Sequence, residues 1–159
     1  SALRAGELDA LAGRLDRYIV SDPEGETDVE RKRRLSEGTG LPTTSPAVWL
    51  ERHRYVYAQG TDHPMTEWPR SVRKIDTETG EETEFSDGNG CSEPIFVPRP
   101  DGTTEDDGVV LTVVLNEDAE RSALVVLDGK TLEEVARARV PHGIPFDFHG
   151  RFFPELCPE

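Results

Sequence analysis

Two stretches of the chain, KIDTETGEETEF at 74–85 and VLDGKTLEEVAR at 126–137, share the frame apolar-Asp-x-x-Thr-x-Glu-Glu. Each reads as a strand, a tight polar turn and a more polar strand. Asp76 and Asp128 stand roughly 50 residues apart, and Asp22 in the turn SDPEGETDVE lies a similar distance upstream. Such hairpins also arise by chance, but three at even spacing favour a repeat. Hairpins recurring at about 50 residues are the mark of propeller blades of the larger size class.

The rest of the chain agrees with an all-β reading. HRYVYAQG (53–60) is rich in aromatic and β-branched residues, as a strand should be. EPIFVP is a short apolar run between turns, and VARARV alternates as an exposed outer strand would. GVVLTVVL (108–115) is apolar almost throughout, which predicts cover on both faces. One helical segment is expected over 1–13, from leucines at 3, 8 and 11, although Gly6 and Gly13 weaken it. The whole of 1–159 then reads as one unit, with propeller strands over 14–159. At about 50 residues per blade this length makes about three blades, whereas propellers close with about four to eight. The expectation is therefore a C-terminal piece of a longer protein, or a partner in an assembly.

Charge narrows the function. The net charge is −14, which excludes a nucleic-acid partner because phosphate requires a basic footprint. Lysine is confined to Lys32, Lys74 and Lys130. An acidic, lysine-poor surface fits a salt-rich cytoplasm, where screening relieves self-repulsion. No apolar run is long enough for a membrane span, and the N-terminal stretch lacks the basic-then-apolar order of a secretory signal. Cys91 and Cys157 match no metal spacing and read as two reduced thiols.

Near the C-terminus, IPFDFHG (144–150) places His149 between an aromatic run and a glycine. Taken alone, a histidine in such a run is either a packed core residue or a metal ligand. Three stretches decide between them: RYVYAQG (54–60), CSEPIFVPRPDGTTEDDGVVLTVVL (91–115) and LVVLDGKTLEEVARARVPHGIPFDFHGRFFP (124–154). In this order they resemble the C-terminal third of the carotenoid cleavage oxygenases, the family that includes the retinal pigment epithelium isomerase. The resemblance covers most of residues 14–154.

The resemblance implies a seven-bladed β-propeller with non-haem Fe(II) on its axis, held by four histidines from different blades and oriented by glutamates behind them. His149 matches the last of those histidines. Neutral imidazole suits Fe(II). Flanking Phe148 and Phe152, with Phe153, are expected as packing residues around the iron or a substrate tunnel. Glu93 in SEPIF matches a glutamate that accepts the N–H of an iron histidine. A second such glutamate belongs two residues before the proline of a Glu-Leu-Pro-like motif. Here that position in GTGLP is Gly40, with Glu37 three residues earlier as a displaced substitute. His53, His63 and His142 match no ligand position and read as surface or turn residues. The acidic run after Asp101 does not fit a calcium loop and reads as a solvated connection.

The implied reaction is oxidative cleavage of a conjugated C=C bond in a carotenoid or apocarotenoid by O2, with the remaining propeller blades as partner. A stilbene-type substrate is the alternative within the family, and a non-catalytic propeller fragment the alternative outside it. With one matched ligand, the isolated chain is expected to be inactive. The family allows peripheral membrane contact by the full-length protein, in an otherwise cytoplasmic setting.

Overall fold

The computed structural model describes residues 13–22, 24–25, 28–61, 68–116, 118, 120–145 and 149–156. Strands β1 (Arg14–Ser21) and β2 (Asp28–Glu37) form a separate two-stranded ribbon. Strands β3 (Thr39–Thr43), β4 (Tyr55–Gly60), β5 (Ser71–Asp76) and β6 (Glu82–Phe85) follow as an antiparallel meander in chain order. The second sheet runs β11 (Glu134–Arg139), β10 (Arg121–Asp128), β9 (Gly108–Asn116). The far edge of β9 carries β7 (Gly90–Cys91) and β8 (Ile95–Pro98) end to end. It is thus a four-deep meander with a broken first strand.

The all-β expectation holds. Helical turns among the described residues are the short 3₁₀ turns at Pro46–Val48 and Pro154–Leu156. The helix expected over 1–13 lies outside the described residues except for Gly13, whose carbonyl accepts from the Gly38 and Thr39 N–H groups. Against the expected three or so blades, the described strands form two blade-sized sheets and a ribbon.

The two sheets meet face to face. Tyr57 stacks on Phe96 with ring centroids 5.0 Å apart, beside buried Val72, Val110, Val114, Val125 and Leu127. Polar groups caught between the sheets are satisfied across the interface, as burial requires. The Tyr57 hydroxyl donates to the Gly129 carbonyl at 2.7 Å, and Gln59 Nε2 donates to the Cys91 carbonyl at 3.0 Å. Cys91 is buried here, and burial pushes its thiol up to about 12, so it is inert packing. Cys157 lies outside the described residues.

The repeat is real at two of its three places. Asp76 Oδ1 accepts from the backbone N–H of Glu78 and Thr79; Asp128 Oδ1 accepts from Lys130 and Thr131. The hydroxyls of Thr79 and Thr131 then accept from Glu81 and Glu133. The shared Asp-x-x-Thr-x-Glu frame is therefore one self-capping hairpin turn, built twice. The third place differs. Asp22 takes a positive φ of 47°, and its carbonyl accepts from Gly25 N–H. That turn closes the ribbon.

Two expectations need correction. Val110, Thr112 and Val114 on one face of β9 are buried against the first sheet, but Val109, Leu111, Val113 and Leu115 on the other are only half-buried. The C-terminal segment covers part of that second face, and among the described residues no second sheet does. The run 105–107 is also not a solvated connection. Glu105 accepts from the backbone N–H of Arg54 and Tyr55, and Asp106 accepts from Lys74 Nζ at 2.7 Å. Asp107 accepts from Arg99 Nε at 3.1 Å. Lys74 Nζ also donates to the Lys130 carbonyl and lies 4.1 Å from the Tyr55 ring centroid. Consecutive acids thus pin the β8–β9 loop to β4 and β5.

Candidate functional site

Glu93 is placed by the break between β7 and β8. The strand cannot continue through Pro94, which has no N–H to offer the ladder. Ser92 closes the gap: its N–H donates to the Val113 carbonyl at 2.8 Å, and its hydroxyl accepts from the Val113 N–H at 2.8 Å. Glu93 is thereby turned out of the sheet on the half-buried side of β9.

His149 reaches the same place from the other end of the chain. Ser122 anchors the returning segment, with its N–H on the His142 carbonyl at 3.0 Å and its hydroxyl accepting from Ile144 N–H at 2.8 Å. Beyond it, His149 Nδ1 stands 3.0 Å from Glu93 Oε2, and Gly150 N–H donates to Glu93 Oε1. One carboxylate therefore holds both the imidazole and the backbone that follows it. A Cβ at position 150 would come within 2.9 Å of Ile95 Cδ1, so a larger residue there would have to displace the end of the Ile95 side chain.

The pair is asymmetric in exposure. The Glu93 side chain is 16% exposed and the His149 side chain 68%. His149 is therefore not the dry, packed residue that its apolar neighbours in sequence suggest. Its Nδ1 side is held and its ring faces an open groove of about 680 Å³. The groove is apolar along most of its length, lined by Leu41, Pro46, Trp49, Ile95 and Phe152, with His149 and Glu93 as its polar end.

The other expected residues fall as follows. Phe152 lines the groove. Phe153 is exposed with the Arg151 guanidinium 5.4 Å from its ring centroid, away from the groove lining. Phe148 lies outside the described residues, as does His63. The Glu37 side chain is 70% exposed and pairs with Arg34 at 2.5 Å on the ribbon. Gly40 stands against Thr61. His53 Nδ1 lies 3.4 Å from the Glu51 carbonyl, and His142 is exposed. Among the described residues no three histidine, cysteine or carboxylate side chains converge as a metal cage. Sequence reasoning missed Trp49 and Leu41. Their signal was the Ser45-Pro46 pair that starts the 3₁₀ turn and swings Trp49 over the groove.

The chain is similar to known proteins over most of its length. The family model described as retinal pigment epithelial membrane protein matches residues 3–154. Carotenoid cleavage dioxygenase 8 homolog A of Oryza sativa subsp. japonica is 37% identical over 148 residues, covering 92% of this chain and 26% of that protein. Apocarotenoid-15,15'-oxygenase of Synechocystis is 36% identical over 153 residues, covering 92% of this chain and 31% of that protein. The crystal structure of cobalt-substituted Synechocystis ACO superposes with a TM-score of 0.80 at 34% identity, over 91% of this chain and 31% of that one. The chain thus spans about a quarter to a third of the length of these relatives.

Proposed function

The chain belongs to the retinal pigment epithelial membrane protein family, and from that premise we propose that it forms the C-terminal part of a non-haem Fe(II) dioxygenase. The reaction is cleavage of a conjugated C=C bond of a carotenoid or apocarotenoid by O2, one oxygen atom passing to each carbon, to give two carbonyl products. The Glu93–His149 contact carries this reading. A carboxylate on Nδ1 selects the Nδ1–H tautomer and puts the imidazole lone pair on Nε2, the arrangement that suits a ligand to Fe(II). The donor set fits one position of an iron site, and the remaining ligands come from outside the described residues.

Bound Fe(II) would supply activation of O2. The work of this chain is positional. Glu93 fixes the ring orientation of His149 and keeps its Nδ1 protonated. Its second oxygen locks Gly150, so the imidazole cannot swing with its backbone. The groove offers apolar walls to a polyene beside His149.

The test uses the full-length protein. His149→Ala should lose iron, read by elemental analysis, and lose carbonyl products from an apocarotenoid, read by chromatography. Glu93→Gln should weaken iron retention by about 10- to 100-fold. Undiminished cleavage by the His149 variant would refute the ligand role. The isolated chain should retain no stoichiometric iron. Tight iron on it would show that the other ligands lie within these 159 residues.

A further inference from the structure

A second site lies on the opposite face of β9 and β10. Arg121 and Ala123 of β10 stand opposite Asn116 and Val114 of β9, while Ala123 and Val125 stand opposite Arg139 and Arg137 of β11. Residues opposed in antiparallel register share a face. Three guanidinium groups and a carboxamide therefore gather on one side, with buried Ala123 as a small floor between Arg121 and Arg139. With Asn89 they line an open hollow of about 500 Å³.

Their charges are unequally met. Arg137 is held by Glu134 and Asp87, at 2.7 and 2.8 Å. Among the described residues no carboxylate pairs with Arg121 or Arg139. Arg17 and Arg33 are met by a hydroxyl and by backbone carbonyls instead of an acid. Arg31, Arg34, Arg52, Arg54, Arg73 and Arg99 all meet an acid. Like charges side by side on a sheet repel, and among the described residues no acid forms an ion pair with either.

We propose that the hollow is a binding site for a small oxyanion, a carboxylate or a phosphate group. The planar fork of arginine takes either group by two parallel hydrogen bonds. The Asn89 carboxamide, which donates to the Asp87 carbonyl at 3.4 Å, lines the same hollow. The site is independent of iron and of the His149 groove, which lies behind it: Val114 faces the hollow, while Val113 and Leu115 line the His149 side. The competing explanation is that β11 carries arginines only to keep an outer strand from pairing with other chains. That role predicts no saturable binding.

Calorimetric titration of the full-length protein with inorganic phosphate and with succinate, at fixed KCl concentration, separates these explanations. The site predicts saturable binding at one equivalent, with the tighter anion identifying a phosphoryl or a carboxylate ligand. The double variant R121Q/R139Q should bind at least about tenfold more weakly, at an unchanged melting temperature. Arg139→Lys, which keeps the charge and loses the fork, should lose severalfold and covers the case in which the double variant does not fold. Absence of saturable heat with either anion, or equal binding by a folded variant, overturns the proposal.

Discussion

Asp76 shows how much one carboxylate can hold. Its Oδ2 accepts from Arg54 Nε and Nη2 at 2.9 and 2.6 Å, while Oδ1 accepts from two backbone N–H groups of its own turn. The Arg54 guanidinium, aided by those N–H groups, keeps the Asp76 carboxyl well below the usual carboxylate range. Because the folded pKa is depressed, the unfolded chain binds the proton more readily. The stabilisation is present above about pH 4, near the pKa of an unfolded aspartate, and is lost as pH falls toward the folded value. Asp76→Asn keeps an acceptor for the turn and removes the charge. Chemical denaturation should show it less stable than the wild type at pH 7, with the gap narrowing as pH falls below about 4. A gap of constant size would mean that shape, not charge, is what Asp76 contributes. The residue scale is also where the sequence was hardest to read. His149 and Glu93 were identified through a family resemblance. Glu105, Asp106 and Asp107 looked like solvated acids, because their partners (backbone N–H groups of β4, Lys74 and Arg99) lie on other elements or carry no sequence pattern.

At the scale of elements, the two copies of the repeated turn differ in one instructive way. Four residues after the aspartate, each needs a left-handed residue: Gly80 with φ 82° in the first, Leu132 with φ 58° in the second. Glycine takes that conformation without penalty, whereas leucine loses about 1–2 kcal/mol. The Leu132 side chain is buried in the core, and burying a leucine contributes about 1.5–3 kcal/mol, which offsets the strain. The two substitutions should therefore rank against the usual order. Leu132→Ala forfeits the burial and keeps the strain, losing about 2–5 kcal/mol. Leu132→Gly forfeits the burial and releases the strain, so it should be the less destabilised variant, by about 1 kcal/mol in urea melts. If alanine is better tolerated than glycine, the left-handed turn is not under strain. The turn itself was legible in advance, because its hydrogen bonds are local and leave a fixed spacing of Asp, Thr and Glu. The broken strand β7–β8 was not, since a two-residue strand has no period, although Pro94 marked the point where pairing must stop.

The whole molecule carries a net charge of −14 on 159 residues, and two opposing effects of salt follow from it. Its ion pairs are mostly at the surface, as in Arg52–Glu78 and Lys32–Glu30, where each contributes at most about 1 kcal/mol and salt weakens it. Lys74–Asp106 is largely buried and so is screened much less. Against these stands the mutual repulsion of the excess carboxylates, spread over the whole surface and longer in reach than any pair. At low ionic strength, about 0.01 M, the screening length is about 30 Å and every acid repels every other; at 1 M it is about 3 Å and only contacts survive. Relief of repulsion should exceed loss of surface pairs, because the pairs contribute little to begin with and the unmatched acids outnumber them. The melting temperature should therefore rise steadily from low to molar KCl. A falling curve would show that the arginine–carboxylate pairs of the two sheets dominate. The acidic surface would then have to be explained by something other than adaptation to salt.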